Sequence, residues 1–272
     1  MRKLISALWL VSLLSLFVPG TAFAQAFPPN EAGVTMGHWH LNSANVEANQ
    51  KILVGMGGTA IKPGDFNLVR FPGVIVFLHL RQTGTPPTAG TDGSVVNHVG
   101  FVVPNVQEAV AKWKTAGVPV QSGNNNRLDQ AWVTTADGLR IEVLEDKTQT
   151  MPIRHEHIHF YVEESVIPQM QAWYVKHFGA KPGVRNNAPI ADLPGTQLRF
   201  AKTATPTVTT KGRVLDHVGF DVNNLQEFLK KLEADGVKID RPFTPNPLGG
   251  GLAFIYDPWG TYIELNERKT PL

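Results

Sequence analysis

Four histidines recur in register along the chain, His38, His98, His157 and His217, and two glutamates, Glu142 and Glu264, follow the second and fourth of them. His38 and His98 are separated by 59 residues, as are His157 and His217, while 43 residues separate His98 from Glu142 and 46 separate His217 from Glu264. The chain has no Cys, which removes thiolate ligands, thiolate nucleophiles and disulfides. Two neutral imidazoles and one carboxylate leave several positions open on a divalent ion, a donor set suited to Fe(II), Mn(II) or Zn(II) with a chelating substrate. The sequence therefore predicts two trios, His38, His98 and Glu142 in the first half and His157, His217 and Glu264 in the second. Ile141 and Val143 flank one Glu, Ile263 and Leu265 the other. Strand alternation then sends each carboxylate to the face opposite the packed one. Any one of these residues alone reads as readily as a hydrogen-bonded strand residue; their repetition is what points to metal.

Other residues join these by spacing. His40 and His159 lie two residues beyond a proposed ligand, on the same strand face, and are expected to act as acid–base catalysts or to orient ligands. His155 shares that face. Tyr262 and Asn266 flank Glu264 and, with Tyr256, are expected to touch substrate. His79 and His177 have no repeat partner and read as structural or surface residues, and Trp39, Trp173 and Tyr174 as core. Gly249-Gly250-Gly251 lacks the strand, Lys and Ser/Thr context of a phosphate loop and reads as a turn at a pocket rim.

These residues sit on a repeat within a repeat. At an offset of 119, His98-Val-Gly-Phe101 matches His217-Val-Gly-Phe220, and residues 98–118 and 217–237 are identical at 11 of 21 positions. The mature chain thus divides into halves of residues 30–147 and 152–268, each itself double with a period of 60. Apolar residues at helical spacing mark Val106–Ala116 and Leu225–Asp235, which stop at Gly117 and Gly236. Short strands follow at Gln130–Thr135, Leu139–Leu144, Gly251–Tyr256 and Thr261–Asn266, the last two separated by the turn Asp257-Pro258-Trp259-Gly260. Each quarter reads as strand, helix and three strands. A unit of about 50 residues cannot bury its own sheet face, so the four must pair.

A βαβββ unit that opens with His and closes with Asp-Pro-Trp-Gly-Thr-Tyr-Ile-Glu-Leu resembles the vicinal-oxygen-chelate superfamily over nearly all of residues 35–267. That superfamily includes glyoxalase I, fosfomycin-resistance proteins, methylmalonyl-CoA epimerase, bleomycin-binding proteins and type I extradiol dioxygenases. The resemblance implies an α+β fold of four βαβββ modules paired into two curved mixed-sheet half-barrels, with the first module expected on the second and the third on the fourth. It implies a metal-dependent lyase or isomerase of the glyoxalase or epimerase type, acting on a small substrate that chelates metal through vicinal oxygens. An Fe(II) extradiol-type dioxygenase of a catechol and a non-catalytic sequestering protein are the alternatives. This chain departs from the family twice. Where glyoxalase I draws an additional carboxylate, four residues after a turn glycine, stand Phe77 and Arg199. Where extradiol dioxygenases carry Tyr before the Asp-Pro turn stands Phe254, with Tyr256 on the same face.

Residues 1–24 read as a secretory signal peptide: Arg2 and Lys3, an apolar run from Leu4 to Val18, and Ala22-Phe23-Ala24 before Gln25. The apolar run is too short to span a membrane. Cleavage after Ala24 predicts a periplasmic or secreted protein, a monomer or homodimer with no membrane association once cleaved. It removes two of the 25 basic side chains and none of the 23 acidic ones. The mature chain is then formally neutral and offers no electrostatic footprint for nucleic acid.

Overall fold

The computed structural model describes residues 27–80, 84–246 and 249–268; the proposed signal peptide, residues 1–24, lies outside them. Among the described residues, sixteen strands and four α-helices follow the expected order, four times strand, helix, three strands. The first module comprises β1 (Val34–Asn42), α1 (Val46–Gly55), β2 (Thr59–Ile61), β3 (Asn67–Phe71) and β4 (Val74–His79). The second comprises β5 (Val96–Val103), α2 (Val106–Thr115), β6 (Val120–Ser122), β7 (Gln130–Thr134) and β8 (Arg140–Glu145). The third comprises β9 (Arg154–Val162), α3 (Ile167–Phe178), β10 (Lys181–Arg185), β11 (Ala188–Leu193) and β12 (Thr196–Lys202). The fourth comprises β13 (Leu215–Val222), α4 (Leu225–Ala234), β14 (Ile239–Pro245), β15 (Gly250–Tyr256) and β16 (Tyr262–Arg268).

Local signals account for the elements. The Asn105 side chain caps α2 by accepting from the Glu108 N–H at 3.1 Å, which satisfies one of the helix's free first-turn donors, and its side-chain Nδ2 donates to the Glu108 carboxylate at 3.2 Å. The helices end beside Gly117 and Gly236, whose φ values of 78° and 81° lie in the left-handed region that glycine alone enters freely. The run Gly249-Gly250-Gly251 is a turn only in part, because Gly250 and Gly251 open β15 and Phe243 packs over Gly251.

The module pairing differs from the expected one. One sheet runs β14-β15-β16-β13-β1-β4-β3-β2 and the other β10-β11-β12-β9-β5-β8-β7-β6. The first module therefore pairs with the fourth and the second with the third, so each half-barrel takes one module from each half of the sequence. The seams are the antiparallel pairs β1·β13 and β5·β9, each flanked by parallel pairs, β1·β4 and β13·β16 in one sheet and β5·β8 and β12·β9 in the other. Register shifts bracket the histidines on both seams, between Met36 and His38, His40 and Leu41, Val96 and His98, and Gly100 and Phe101. Such bulges bend a strand and re-aim its side chains.

Alternate residues on the seams, including Trp39, Val99, Phe101, Ile158, Val218 and Phe220, are at most 1% exposed and join one core with both sheets and all four helices. Trp39 lies 5.4 Å from Phe101 and 4.8 Å from His155, ring centre to ring centre, so contacts cross between the sheets. The intervening residues of each seam face away from that core. Among the described residues, no helix is long and apolar enough to cross a membrane.

Candidate metal centres

The four seam strands and their parallel neighbours β8 and β16 bring eight predicted residues into two clusters: His38, His40, His217 and Glu264 in one sheet, and His98, His157, His159 and Glu142 in the other. Within each, one nitrogen or oxygen per residue lies within 4.8 Å of all the others. The predicted trios are thus regrouped. His98 and Glu142 join His157 rather than His38, and His217 and Glu264 join His38 rather than His157, because the modules pair first with fourth and second with third.

The clusters are built alike. Antiparallel register sets His40 opposite His217 and His38 opposite Gly219 in one seam, and His98 opposite His159 and Gly100 opposite His157 in the other. Each glycine is required there. A Cβ on Gly219 would lie 1.9 Å from Cε1 of His38, and one on Gly100 would lie 1.9 Å from Cε1 of His157. The parallel neighbours set Glu264 opposite Gly219 and Glu142 opposite Gly100, which puts each carboxylate beside the imidazole over that glycine. Glu142 Oε2 stands 3.1 Å from His157 Nε2 and 3.5 Å from His98 Nε2; Glu264 Oε2 stands 2.7 Å from His217 Nε2 and 3.5 Å from His38 Nε2. Ligands about 2.1 Å from one ion lie about 3.0 Å apart at right angles and about 3.4 Å apart in a tetrahedron, so these separations fit a shared ion.

Three imidazoles are oriented by the residue just before them. His98 Nδ1 pairs with Asn97 Oδ1 at 2.9 Å, His157 Nδ1 with Glu156 Oε2 at 2.5 Å, and His217 Nδ1 with Asp216 Oδ1 at 2.9 Å. A proton held on Nδ1 leaves Nε2 as the electron-pair donor, the usual second-layer device of metal histidines. The Nε2 atoms of His157 and His217 are buried and make no hydrogen bond of acceptable geometry. A buried, unpartnered ring nitrogen facing a carboxylate is costly unless something sits between them. The residues present fit a divalent metal.

His40 and His159 supply a further nitrogen to each cluster. His159 Nδ1 lies 3.0 Å from His98 Nε2, and the His40 ring lies 4.3 Å from that of His217. Burial, then His217 and His79, hold His40 well below the usual imidazole range; burial, then His98 and His157, pull His159 down to about 2. Burial brings His98 to about 4. Burial opposes ionisation of the two glutamates, yet the facing imidazoles hold both below the usual carboxylate range. His217 is raised, with burial outweighed by Asp216 and Glu264. At His40, His98 and His159 these shifts favour the neutral imidazole that metal ligation needs, and at both glutamates the ionised carboxylate, whereas His217 would give up a proton to a metal.

The remaining predicted residues lie at graded distances. The Tyr262 ring is 5.9 Å from that of His217, and its hydroxyl donates to Asp240 at 2.9 Å. Tyr256 stands one ring further out, 4.8 Å from Tyr262. Asn266 is buried and its Nδ2 has no hydrogen-bond partner. Phe254 lies 5.2 Å from His217. His155 instead hydrogen-bonds the Gly100 carbonyl and the Thr196 hydroxyl within the core. His79, read as structural or surface, reaches the cluster's edge, with Nε2 2.9 Å from His40 Nε2. Asn97, Glu156, Asp216, Gly100 and Gly219 also build the clusters, as does Gln130, which donates to Glu142, though spacing alone does not single them out. The polar–His dipeptides Asn97-His98, Glu156-His157 and Asp216-His217 were the legible signal. A cavity of about 710 Å³, lined among others by Glu142, His159 and Arg199, opens on the second cluster.

Residues 150–265 match the family model described as Glyoxalase/Bleomycin resistance protein/Dioxygenase superfamily. Glyoxalase I from Zea mays has the same architecture, with a TM-score of 0.68 at 16% identity over 86% of this chain and 92% of that one. A protein from Bacillus subtilis subsp. subtilis str. 168, described as a candidate dioxygenase, gives a TM-score of 0.62 at 14% identity over 87% of this chain and 86% of that one. No curated protein matches the sequence. Residues 150–265 are thus similar to the domain of that superfamily, and the fold shared with glyoxalase I extends over both sheets.

Proposed function

We propose that the protein is an exported, metal-dependent lyase or isomerase acting on a small substrate that chelates the metal through vicinal oxygens. The observation that carries this reading is the pair of buried clusters, each with three imidazoles and one carboxylate, in which Nε2 of His157 and of His217 is unpartnered. His38, His217 and Glu264 would hold one divalent ion, and His98, His157 and Glu142 the other. When bound, such an ion acts as a Lewis acid on a chelated carbonyl or hydroxyl oxygen. His40 and His159, held neutral, stand as a further donor in each set where the sequence has Phe77 and Arg199 in place of a carboxylate. Asn97, Glu156 and Asp216 keep the Nδ1 proton in place, and Gln130 orients Glu142. Tyr262 and Asn266 line the first cluster and Tyr256 its outer wall. Export rests on Arg2, Lys3, the apolar run and Ala22-Phe23-Ala24, and N-terminal sequencing of mature protein beginning at Gln25 checks it.

The dioxygenase reading is the weaker one. Phe254 puts a bare ring beside His217, and the Tyr262 hydroxyl is committed to Asp240. Sequestration without turnover accounts poorly for two complete donor sets. The test loads purified protein with Fe(II), Mn(II) or Zn(II) and offers two substrates. A lyase or isomerase exchanges the enolisable C–H of a 2-hydroxy ketone for deuterium in D2O without consuming O2. Oxygen uptake on a catechol would replace this reading by the dioxygenase, and metal retention with neither reaction would replace it by sequestration.

A further inference from the structure

The clusters match in their donors but not at the strand position beside them. β4 sets Phe77 next to His40, and β12 sets Arg199 next to His159, in the same parallel register. Arg199 is 8% exposed. Its Nε donates to Gln197 at 3.0 Å, and its Nη2 donates to both Glu156 oxygens at 2.5 Å. Its Nη1 forms an ion pair with Glu142 Oε2 at 3.8 Å, beyond hydrogen-bond distance, and Arg199 lines the 710 Å³ cavity. Arg185 donates to the same Glu156 at 2.8 Å, so two guanidinium groups share that carboxylate, and Arg199 reaches a second one, Glu142, only at 3.8 Å. The other ion pairs on the cavity wall, Arg127 with Asp129 and Lys202 with Glu164, are closed on themselves.

At the other cluster the matching wall is aromatic. Phe77 lies 4.9 Å from the His38 ring and stacks on His40 at 5.4 Å. The cations there lie over rings, Arg241 over Phe254 and Lys211 over Tyr262, with Lys211 also paired to Asp240.

We propose, building on the metal reading above, that the two sites take different substrates. The Glu142 site binds a small oxyacid whose carboxylate or phosphonate lies against Arg199 Nη1, while the Glu264 site takes an uncharged or aromatic group against Phe77. A guanidinium held in place by Glu156 presents Nη1, whose ion pair with Glu142 is long at 3.8 Å, beside the chelating oxygens, and a charge-assisted bond there costs no further ordering of the side chain.

Oxalate, an inert dianionic chelator, is the probe. Protein is loaded with Mn(II) and its metal counted, in wild type, Glu264→Ala (Glu142 site intact) and Glu142→Ala (Glu264 site intact). Oxalate is then titrated at saturating Mn(II) by calorimetry. The Glu142 site is expected to bind oxalate about 10- to 100-fold more tightly than the Glu264 site. Arg199→Met in the Glu264→Ala background should erase the difference, and Arg199→Lys should restore part of it. Equal binding at the two sites, or indifference to Arg199→Met with Mn(II) retained, overturns this inference alone. Failure of every form to retain Mn(II) overturns the metal reading and this inference with it.

Discussion

Gly100 and Gly219 show how little room each imidazole has. The His157 and His38 rings occupy the space above these glycines, where an added Cβ would approach Cε1 to 1.9 Å. The methyl of alanine must therefore push the ring off its position. Displacing a metal ligand or its support costs about 10- to 100-fold in affinity. Gly100→Ala should therefore weaken Mn(II) binding at the Glu142 site by about that factor and leave the Glu264 site unchanged, and Gly219→Ala should do the reverse. Two-site calorimetry reads both, and a loss spread equally over the two sites in either variant would mean that the glycines act on the fold rather than on one imidazole.

Between elements, two aspartates in matching turns tie the modules of each sequence half together. Asp137, between β7 and β8, accepts from Ser43, from the Asn45 backbone and side chain, and from Asn49, all at the start of α1. Asp257, between β15 and β16, accepts from the Tyr174 hydroxyl of α3 at 2.9 Å. The sheets join first to fourth and second to third; these clasps join first to second and third to fourth. Ser43 and Asn49 are fully buried, so Asp137→Ala strands their donors and should destabilise by about 1–3 kcal/mol in denaturant unfolding. Burial raises Asp137, but the bonds from Asn45, Ser43 and Asn49 outweigh it and hold the carboxyl below its ordinary value. A depressed carboxyl contributes stability above its unfolded pKa and loses it as pH falls through the folded one. The difference between wild type and Asp137→Asn should accordingly be full at neutral pH and shrink below about pH 4. A difference that stayed constant down to pH 2 would remove the carboxylate from the clasp. Tyr174→Phe should cost about 1–3 kcal/mol by leaving the buried Asp257 short of a donor.

On the scale of the molecule, each site combines residues distant in sequence, and double substitutions expose which ones belong together. His217→Ala with Glu264→Ala removes two ligands of one site and should lower bound metal from two ions to one per chain. His157→Ala with Glu264→Ala takes one ligand from each site and should lower it to none. The module pairing expected from the repeat alone puts His157 and Glu264 in one site and so predicts one ion, not none, for the second pair, and metal counting by elemental analysis decides between the two arrangements.

The sequence by itself determined the period, the βαβββ unit, the helix ends at Gly117 and Gly236, and all eight side chains of the two clusters. Those signals are local: alternation assigns a face, left-handed glycines stop helices, and a repeated His-Val-Gly-Phe marks matching positions. Tertiary structure alone decided which module faces which. β1, β5, β9 and β13 each open a module and present the same alternation and a histidine at the same point, so strand pairing alone does not distinguish first-with-second from first-with-fourth. The choice rests on packing between distant residues, Trp39 against Phe101 and His155 and Phe178 against Phe220, together with the connection at residues 146–153, which leads from the second module into the third within one sheet. The same long-range packing sets Phe77 beside one cluster and Arg199 beside the other, and so makes two sites of one repeated pattern unlike.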